Sequence, residues 1–309
     1  MKRLTENKLV LVKRKTRLEE LAARFNTVEQ ARFYVERLGS DFTDYQEEDA
    51  AYKQALRTAE DILSGMGRLQ IVSREYVPNF IFGKQDIVIA VGQDGLISNT
   101  LKYLDNQPLI GVNPDPARWD GVLLPFRATD LRALLPDVFA NRRPIGEVSM
   151  AKSTLNDGQA IYAVNDLFIG QKTHVSARYH IQYDQIGEYQ SSSGIIVSTG
   201  LGSTGWLKSI VAGVAGITGT GEEIPILTGR QAWGAEYLQF TVREPYPSRV
   251  TGANIVFGRI SADAPMWITS CMPENGVIFS DGIESDFLEF RSGVVAEIMV
   301  AEKKGRLVL

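Results

Sequence analysis

Four short blocks of the 309-residue chain place residues that could do phosphate or hydroxyl chemistry. The first is IVIAVGQDGLISNT, residues 87–100, an apolar run that delivers Gly92, Gln93, Asp94 and Gly95 to a helical pattern. A glycine turn between a buried strand and a helix N-terminus leaves backbone N–H groups unpaired, and those groups favour phosphate oxygens. A carboxylate in the same turn, Asp94, can take the proton of a hydroxyl. Asp-Gly is also an ordinary turn dipeptide, so this block gains meaning only from its company.

The second block is SSSGIIVSTGLGSTGW, residues 191–206. Gly200, Gly202 and Gly205 spell GxGxxG after an apolar run, with Glu222 and Glu223 about 20 residues on, the spacing of a dinucleotide fingerprint. That fingerprint belongs in the first turn of a βαβ unit, and no parallel strand with a helical crossover follows here. The block reads either as a glycine turn feeding a short helix at 206–213 or as a ligand loop with Ser203 and Thr204 as donors. The third block, AVNDLFIGQ, sets Asn165 beside Asp166 at the start of a strand. An amide next to a carboxylate can read an adenine edge or a ribose diol, and the same pair is equally at home in a turn. The fourth, Asp281-Gly282 in GVIFSDGIESDF, reads as a hairpin turn.

His174 and His180 lie six residues apart in KTHVSARYHIQY, so in a strand they are separated by roughly 20 Å and cannot share a metal ion. The pattern predicts both at exposed positions, with Val175, Ala177, Tyr179 and Ile181 on the buried face. Tyr34, Tyr52, Trp119, Trp233 and Trp267 read as packing residues; Trp206, inside the glycine block, is the candidate ligand contact.

The elements that must position these blocks come in two styles. Residues 1–144 alternate helix and strand patterns. A strand at 8–12 precedes a helix that Thr16 and Glu19 cap as a box. Helices at 27–38 and 45–64 follow, ended by Gly65 and Gly67, then apolar strands at 69–72, 86–91 and 108–112 with a helix at 96–104. Continuously apolar strands with helical crossovers indicate a parallel sheet covered on both faces. Residues 145–309 read as mostly β, with strands at 159–169, 172–183, 194–199, 237–243, 253–260, 265–271, 276–280, 286–290 and 294–300. Gly213 to Gly221 reads as a mobile loop, and the last residues can pack back on the first domain.

Composition excludes several classes. Hydrophobic residues are 44% and charged residues 23%, as in ordinary globular chains, so neither disorder nor a fibrous repeat fits. The net charge of −4 argues against a surface built for nucleic acid. One cysteine, Cys271, permits neither an intrachain disulfide nor a thiolate zinc cluster and points to a reducing compartment. No apolar run approaches the ~20 residues of a membrane span. The basic N-terminal stretch is interrupted by Glu6, Glu19 and Glu20, unlike a transit sequence, and the expected setting is cytoplasmic.

Taken in order, the four blocks resemble the NAD kinase family. VGQDG at 91–95 is similar to its Gly-Gly-Asp-Gly turn, AVNDLFIG to its Asn-Glu block, SGIIVSTGLGSTGW to its Gly-Ser-Thr-Ala-Tyr block and VIFSDG to a late Asp-Gly. VNPDPARWDGVLLP at 112–125, SSSG at 191–194 and FTVREPYPSRV at 240–250 resemble blocks of the mitochondrial-type branch. The resemblance covers most of residues 85–300. It implies a Rossmann-like α/β domain and a β-sandwich-like domain with NAD held between them. It further implies transfer of a phosphoryl group from ATP, or polyphosphate, to the adenosine ribose 2′-hydroxyl, giving NADP.

By that resemblance Asp94 is the base, and Gly92, Gly95, Gly202 and Ser203 attend phosphate. Asn165, Asp166, Ser193, Thr204, Gly205 and Trp206 hold NAD. Mg2+ would accompany ATP, with no protein metal cage, and the partners would be small nucleotides and a second copy of the chain, a homodimer favoured. The sequence departs from the family at four places. Gln93 stands for glycine, which would cost roughly 1–2 kcal/mol if the backbone there were left-handed. Leu96 replaces a threonine hydroxyl, Asp166 a glutamate and Trp206 a tyrosine. The alternatives are a family member that binds nucleotide without efficient turnover, a kinase for another hydroxyl, and, last, a dehydrogenase using Gly200 to Gly205.

Overall fold

The computed structural model describes residues 5–219 and 231–309. The chain divides into two units, Met1–Gly146 with Arg306–Leu309, and Glu147–Gly305.

In the first unit, β1 (Lys8–Lys13) leads through Thr16 into α1 (Arg17–Phe25), and the capping box forms: Thr16 Oγ1 accepts the Glu19 N–H while Glu19 accepts the Thr16 N–H. Then come α2 (Val28–Arg37), α3 (Thr43–Met66), β2 (Arg68–Ser73), β3 (Ile87–Val91), α4 (Asp94–Leu101), β4 (Pro108–Val112) and α5 (Leu131–Phe139). The strands form a parallel sheet in the order β2-β1-β3-β4, which Arg306 and Leu307 extend by pairing with Pro108 and Leu109. β3 is buried along its whole length, as its run of apolar residues requires. One face of the sheet packs Leu9, Leu11 and Ile89 against Leu63 of α3 and Leu135 of α5. All three central strands end, at their C-terminal edge, in residues with chemistry to offer: Arg14, Gly92 and Asn113.

The second unit is an antiparallel sandwich. Its elements are β5 (Ile145–Leu155), β6 (Ala160–Ala163), β7 (Asp166–Gln171), β8 (Ala177–Tyr183), β9 (Ile186–Ser192), β10 (Ile195–Ser198), α6 (Trp206–Thr218), β11 (Tyr237–Val242), β12 (Phe257–Ser261), β13 (Met266–Ser270), β14 (Gly276–Ser280), β15 (Ile283–Glu289) and β16 (Val295–Val308). One sheet has the order β12-β11-β10-β7-β14-β15, and the other runs β9-β8-β13-β16. Ile169, Val197, Phe240 and Ile278 from the first interdigitate with Tyr179, Ile181, Ile268 and Ile298 from the second. α6 lies on the outer face of the first sheet, where Trp206 and Ile210 pack on Phe168, Ile196 and Val277.

Several expectations change; Tyr34 and Trp267, read as packing residues, are 51% and 41% exposed. The strand read at 159–169 is broken at Val164 and Asn165, because the N–H groups of those residues turn away to the Asp281 carboxylate. The loop read from Gly213 is helix as far as Thr218, with Gly219 as its left-handed cap at φ 66°; Gly221, Glu222 and Glu223 lie outside the described residues. Val175 is 60% exposed because β8 begins two residues later, which also leaves His174 outside the strand.

Candidate active site

Asp94 is the first residue of α4, delivered by β3 through a turn whose shape depends on Gly92. A Cβ at Gly92 would come within 2.8 Å of the Leu96 side chain, so Leu96 packs where a methyl group would otherwise stand. Gln93 sits at φ −122°, ψ 166°, extended backbone open to any residue. The penalty that a left-handed position would have carried is absent. Leu96 is buried, so the missing threonine hydroxyl is replaced by core packing under the turn. Among the described residues no side chain caps α4, and the N–H groups of Asp94 and Gly95 have no acceptor within the chain. Gly95 is exposed. The turn thus offers two free donors at the positive end of a helix, beside a carboxylate.

That carboxylate is fixed. Asp94 Oδ1 accepts the N–H of Leu123 at 2.8 Å, and Oδ2 is left for another donor. Leu123 reaches it because the Gly121–Leu124 turn folds back over β4, closed by Leu124 N–H to Gly121 O at 2.9 Å. Gly111 makes the approach possible: a Cβ there would stand 2.0 Å from the Leu123 carbonyl oxygen. Asn113 holds the same loop by donating to Trp119 O and accepting from the Asp115 N–H. The VNPDPARWDGVLLP stretch is therefore the device that orients Asp94.

Replacing Gln93 with glycine follows from this geometry as a direct test of the turn. Because residue 93 is already extended, the substitution adds freedom to the unfolded chain without relieving strain, and should lower stability by about 0.5–1 kcal/mol. Turnover should not rise. A large gain in activity, measured beside a thermal melt, would show that side chain, not backbone, limits the site.

In the second unit a separate cluster forms at one end of β7 and β10. Ser198 pairs with Asp166 across the two strands. Thr199 ties the next turn down: its Oγ1 donates to Val164 O at 2.6 Å and accepts the Gly202 N–H at 3.1 Å, and its N–H reaches Asn165 O. Gly202 packs directly on the Asn165 peptide, where a Cβ would lie 2.1 Å from the carbonyl oxygen and 2.8 Å from Asp166 Oδ1. Gly202 is thus used for close approach, and its N–H is already taken. Ser203 donates to Gly200 O at 2.8 Å, while Thr204 and Gly205 are exposed at the tip. Trp206 stacks on Phe168 at 5.8 Å with the Arg243 guanidinium 5.4 Å from its ring, so it serves first as packing. Ser193 is exposed at the far end of β10, five residues from Ser198 and so roughly 17 Å away along the strand. The structure does not bring it to the others.

Asp281, read from the sequence as a hairpin turn residue, has a second task that the sequence does not show. It occupies the hairpin turn between β14 and β15, with φ 53° at Asp281 and 71° at Gly282, as the Asp-Gly pattern predicts. Its carboxylate also accepts the N–H groups of Val164 (3.1 Å), Asn165 (2.6 Å) and Asp166 (3.3 Å). That triple bond set aims the Asn165-Asp166 pair. Only the Asp-Gly dipeptide hinted at it, since the partners are more than a hundred residues away.

Asp166 Oδ1 is buried without a hydrogen-bond partner. Burial, helped by the Asp281 charge and opposed by the Ser198 hydroxyl, pushes the Asp166 carboxyl up to about 7. Folded Asp166 therefore holds a proton that the unfolded chain has released above pH 4. Its cost to stability is nil in acid, grows as pH rises from about 4, and levels off above about 7. Asp166→Asn should raise stability by about 2 kcal/mol at pH 8, half the value the full shift converts to, because the residue keeps partial exposure. The gain should fade toward pH 4, which thermal melts across pH will read; a pH-independent difference would contradict the assignment.

The parallel sheet with helical crossovers and the antiparallel sandwich that follows it match the fold of solved NAD and NADH kinases. The structure of yeast NADH kinase complexed with NADH is similar over 98% of this chain and 84% of that one, with a TM-score of 0.58 and 14% identity. An NAD kinase from Archaeoglobus fulgidus in complex with ATP is similar over 98% of this chain and 93% of that one, with a TM-score of 0.56 and 15% identity. No protein-family model matches the sequence, and no curated protein matches it. Among the described residues no helix is long and apolar enough to cross a membrane.

Proposed function

We propose that the chain is an NAD kinase that transfers a phosphoryl group to the adenosine ribose 2′-hydroxyl of NAD, with its nearest affinity to the mitochondrial-type branch. The observation that carries this reading is Asp94: a carboxylate with one oxygen anchored by the Leu123 N–H and the other free, beside two unpaired N–H groups of a helix N-terminus. Phosphoryl transfer asks for positioning, charge stabilisation and an acceptor for the hydroxyl proton, and this turn supplies all three. Asp94 Oδ2 accepts the proton as the hydroxyl oxygen bonds to phosphorus and the P–O bond to the rest of the donor breaks, releasing ADP or a polyphosphate one unit shorter, while the Asp94 and Gly95 N–H groups face the phosphate. Asn165 and Asp166, aimed by Asp281, bind ribose hydroxyls or the adenine edge, and Thr204 and Gly205 border the dinucleotide.

A Mg2+ ion would come in with the donor's own phosphates. Bound there, it would neutralise charge on the phosphate chain. A second reading, nucleotide binding without efficient turnover, is favoured by one observation: Leu96 leaves the first turn of α4 without a hydroxyl. Calorimetry with NAD, NADP and ATP separates the two. The kinase reading expects NAD and donor both to bind; tight NADP binding with no affinity for any phosphoryl donor supports the second.

A further inference from the structure

The N-terminal half of α3 places Asp44, Glu48 and Tyr52 four residues apart, so the three side chains stand one above another on a single face. Each reaches a segment that borders Asp94. The Tyr52 hydroxyl accepts the Arg14 N–H at 2.9 Å and donates to Val91 O at 3.2 Å, which ties the last residue of β3 to α3 just before Gly92. Glu48 is buried and matched on both oxygens, by Arg14 Nη2 at 2.6 Å and by the Arg17 N–H at 3.2 Å. Arg14 in turn packs beside the glycine turn, its Nε 3.6 Å from where a methyl group at Gly92 would stand. Tyr52 and Glu48 therefore brace the β3 side of that turn.

Asp44 serves the other side. Its Oδ2 accepts Arg17 Nη2 at 2.6 Å, and its Oδ1 accepts Arg118 Nη1. Arg118 belongs to the loop after β4 and is held within it as well: its Nε lies 3.3 Å from Asp115 Oδ2, and the N–H groups of Arg118 and Trp119 both reach Asp115 O. Five residues further on, the same loop presents the Leu123 N–H that fixes Asp94 Oδ1. Hydrogen bonds from Arg118 and Arg17 hold the Asp44 carboxyl below the usual carboxylate range, so it stays charged around neutral pH. An isolated pair as exposed as this one contributes little to stability. Here Arg17 is shared by Asp44 and Glu48, and Arg118 by Asp44 and Asp115, so each side chain is already ordered by one contact when it makes the next.

We infer that Asp44 is a positioning residue for Asp94: through Arg118 it restrains the loop after β4, keeping the Leu123 N–H on Asp94 Oδ1 and leaving Oδ2 as the basic oxygen. The restraint itself stands on geometry alone, and its consequence for turnover rests on the kinase reading of Asp94.

The test is hydrogen exchange at the Leu123 amide of the full, substrate-free chain, read by NMR, beside kcat and KM for NADP formation. The variants are Asp44→Asn, which keeps the size of the side chain and removes its charge, Arg118→Met, and the two combined. Each single variant should exchange the Leu123 amide about ten-fold faster, as a loop opening more often would. Each should lower kcat about ten-fold, with KM for NAD changed no more than about two-fold, because a displaced base costs rate rather than binding. The combined variant should be no worse than either single one, since both cut the same link. Arg142→Met, which breaks the exposed pair with Asp137, is the control and should change neither reading. Arg118 lies in a loop, so its variant tests the link even where Asp44→Asn unsettles α3. Unchanged exchange at Leu123, losses that add in the combined variant, or faster exchange at the unaltered kcat each overturn the inference. Faster exchange in the variants, with no NADP formed by the unaltered chain, contradicts the kinase reading alone and supports the restraint.

Discussion

Asp94→Asn should lower the rate of NADP formation by a factor of about 100 to 10,000, the range general-base removal commands. The substitution is well placed to be clean. An asparagine keeps the Oδ1 acceptor for the Leu123 N–H, so the Gly121–Leu124 turn and the first turn of α4 should stay as they are. What it loses is the basic oxygen that would accept the hydroxyl proton. NAD affinity, read by calorimetry, should change only a few-fold, which makes the loss one of kcat over KM. Unchanged turnover would remove Asp94 from the chemistry.

The second large effect is expected at Gly202. A Cβ there would press within 2.1 Å of Asn165 O and 2.6 Å of the carbonyl carbon. Backbone on both sides is pinned, by Thr199 Oγ1 on the Gly202 N–H and by Asp281 on the Asn165 N–H, so neither chain can yield without breaking those bonds. Gly202→Ala should therefore cost about 1–3 kcal/mol in stability. It should also weaken NAD binding about 100-fold, as ~2.7 kcal/mol of lost contacts would. Gly216→Ala is the internal control: that glycine lies in α6 with nothing within 4 Å of the added carbon, and alanine should leave binding unchanged while stabilising the helix by up to about 1 kcal/mol. Equal behaviour of the two variants would mean that the Asn165-Asp166 pair does not hold the dinucleotide.

Much of this architecture is legible in the sequence because it rests on local rules. The Thr16-Glu19 box marks α1, and the apolar runs of β1, β3 and β4 have too little polar surface to be anything but buried strands. Other elements are hidden for physical reasons. Pro136 inside α5 disguises a helix whose Leu131, Leu134, Leu135 and Val138 are nonetheless buried on one side. β9, IGEYQSS, is an edge strand with only Gln190 and Ser192 buried, so it lacks the alternation that announces a strand. β16 extends well beyond the stretch read at 294–300, through charged residues that sheet pairing tolerates.

The site divides in the same way. Asp94, Gly92 and Asn165 announce themselves through turn chemistry. Their supports do not: Leu123 serves by its backbone, Asp281 works across 116 residues, and Arg14 is one cation in a basic strand until the fold sets it beside Gly92. Orientation of a reactive group is a tertiary property, and only the glycines that permit close approach leave a trace of it in the chain.

The most direct measurement is mass spectrometry and phosphorus NMR of the dinucleotide after incubating the purified protein with NAD, Mg2+ and either ATP or polyphosphate. The account predicts a single added phosphoryl group on the adenosine ribose 2′-oxygen, formed by the unaltered chain and lost with Asp94→Asn. Unmodified NAD with every donor, or a phosphoryl group on a different hydroxyl, would contradict it.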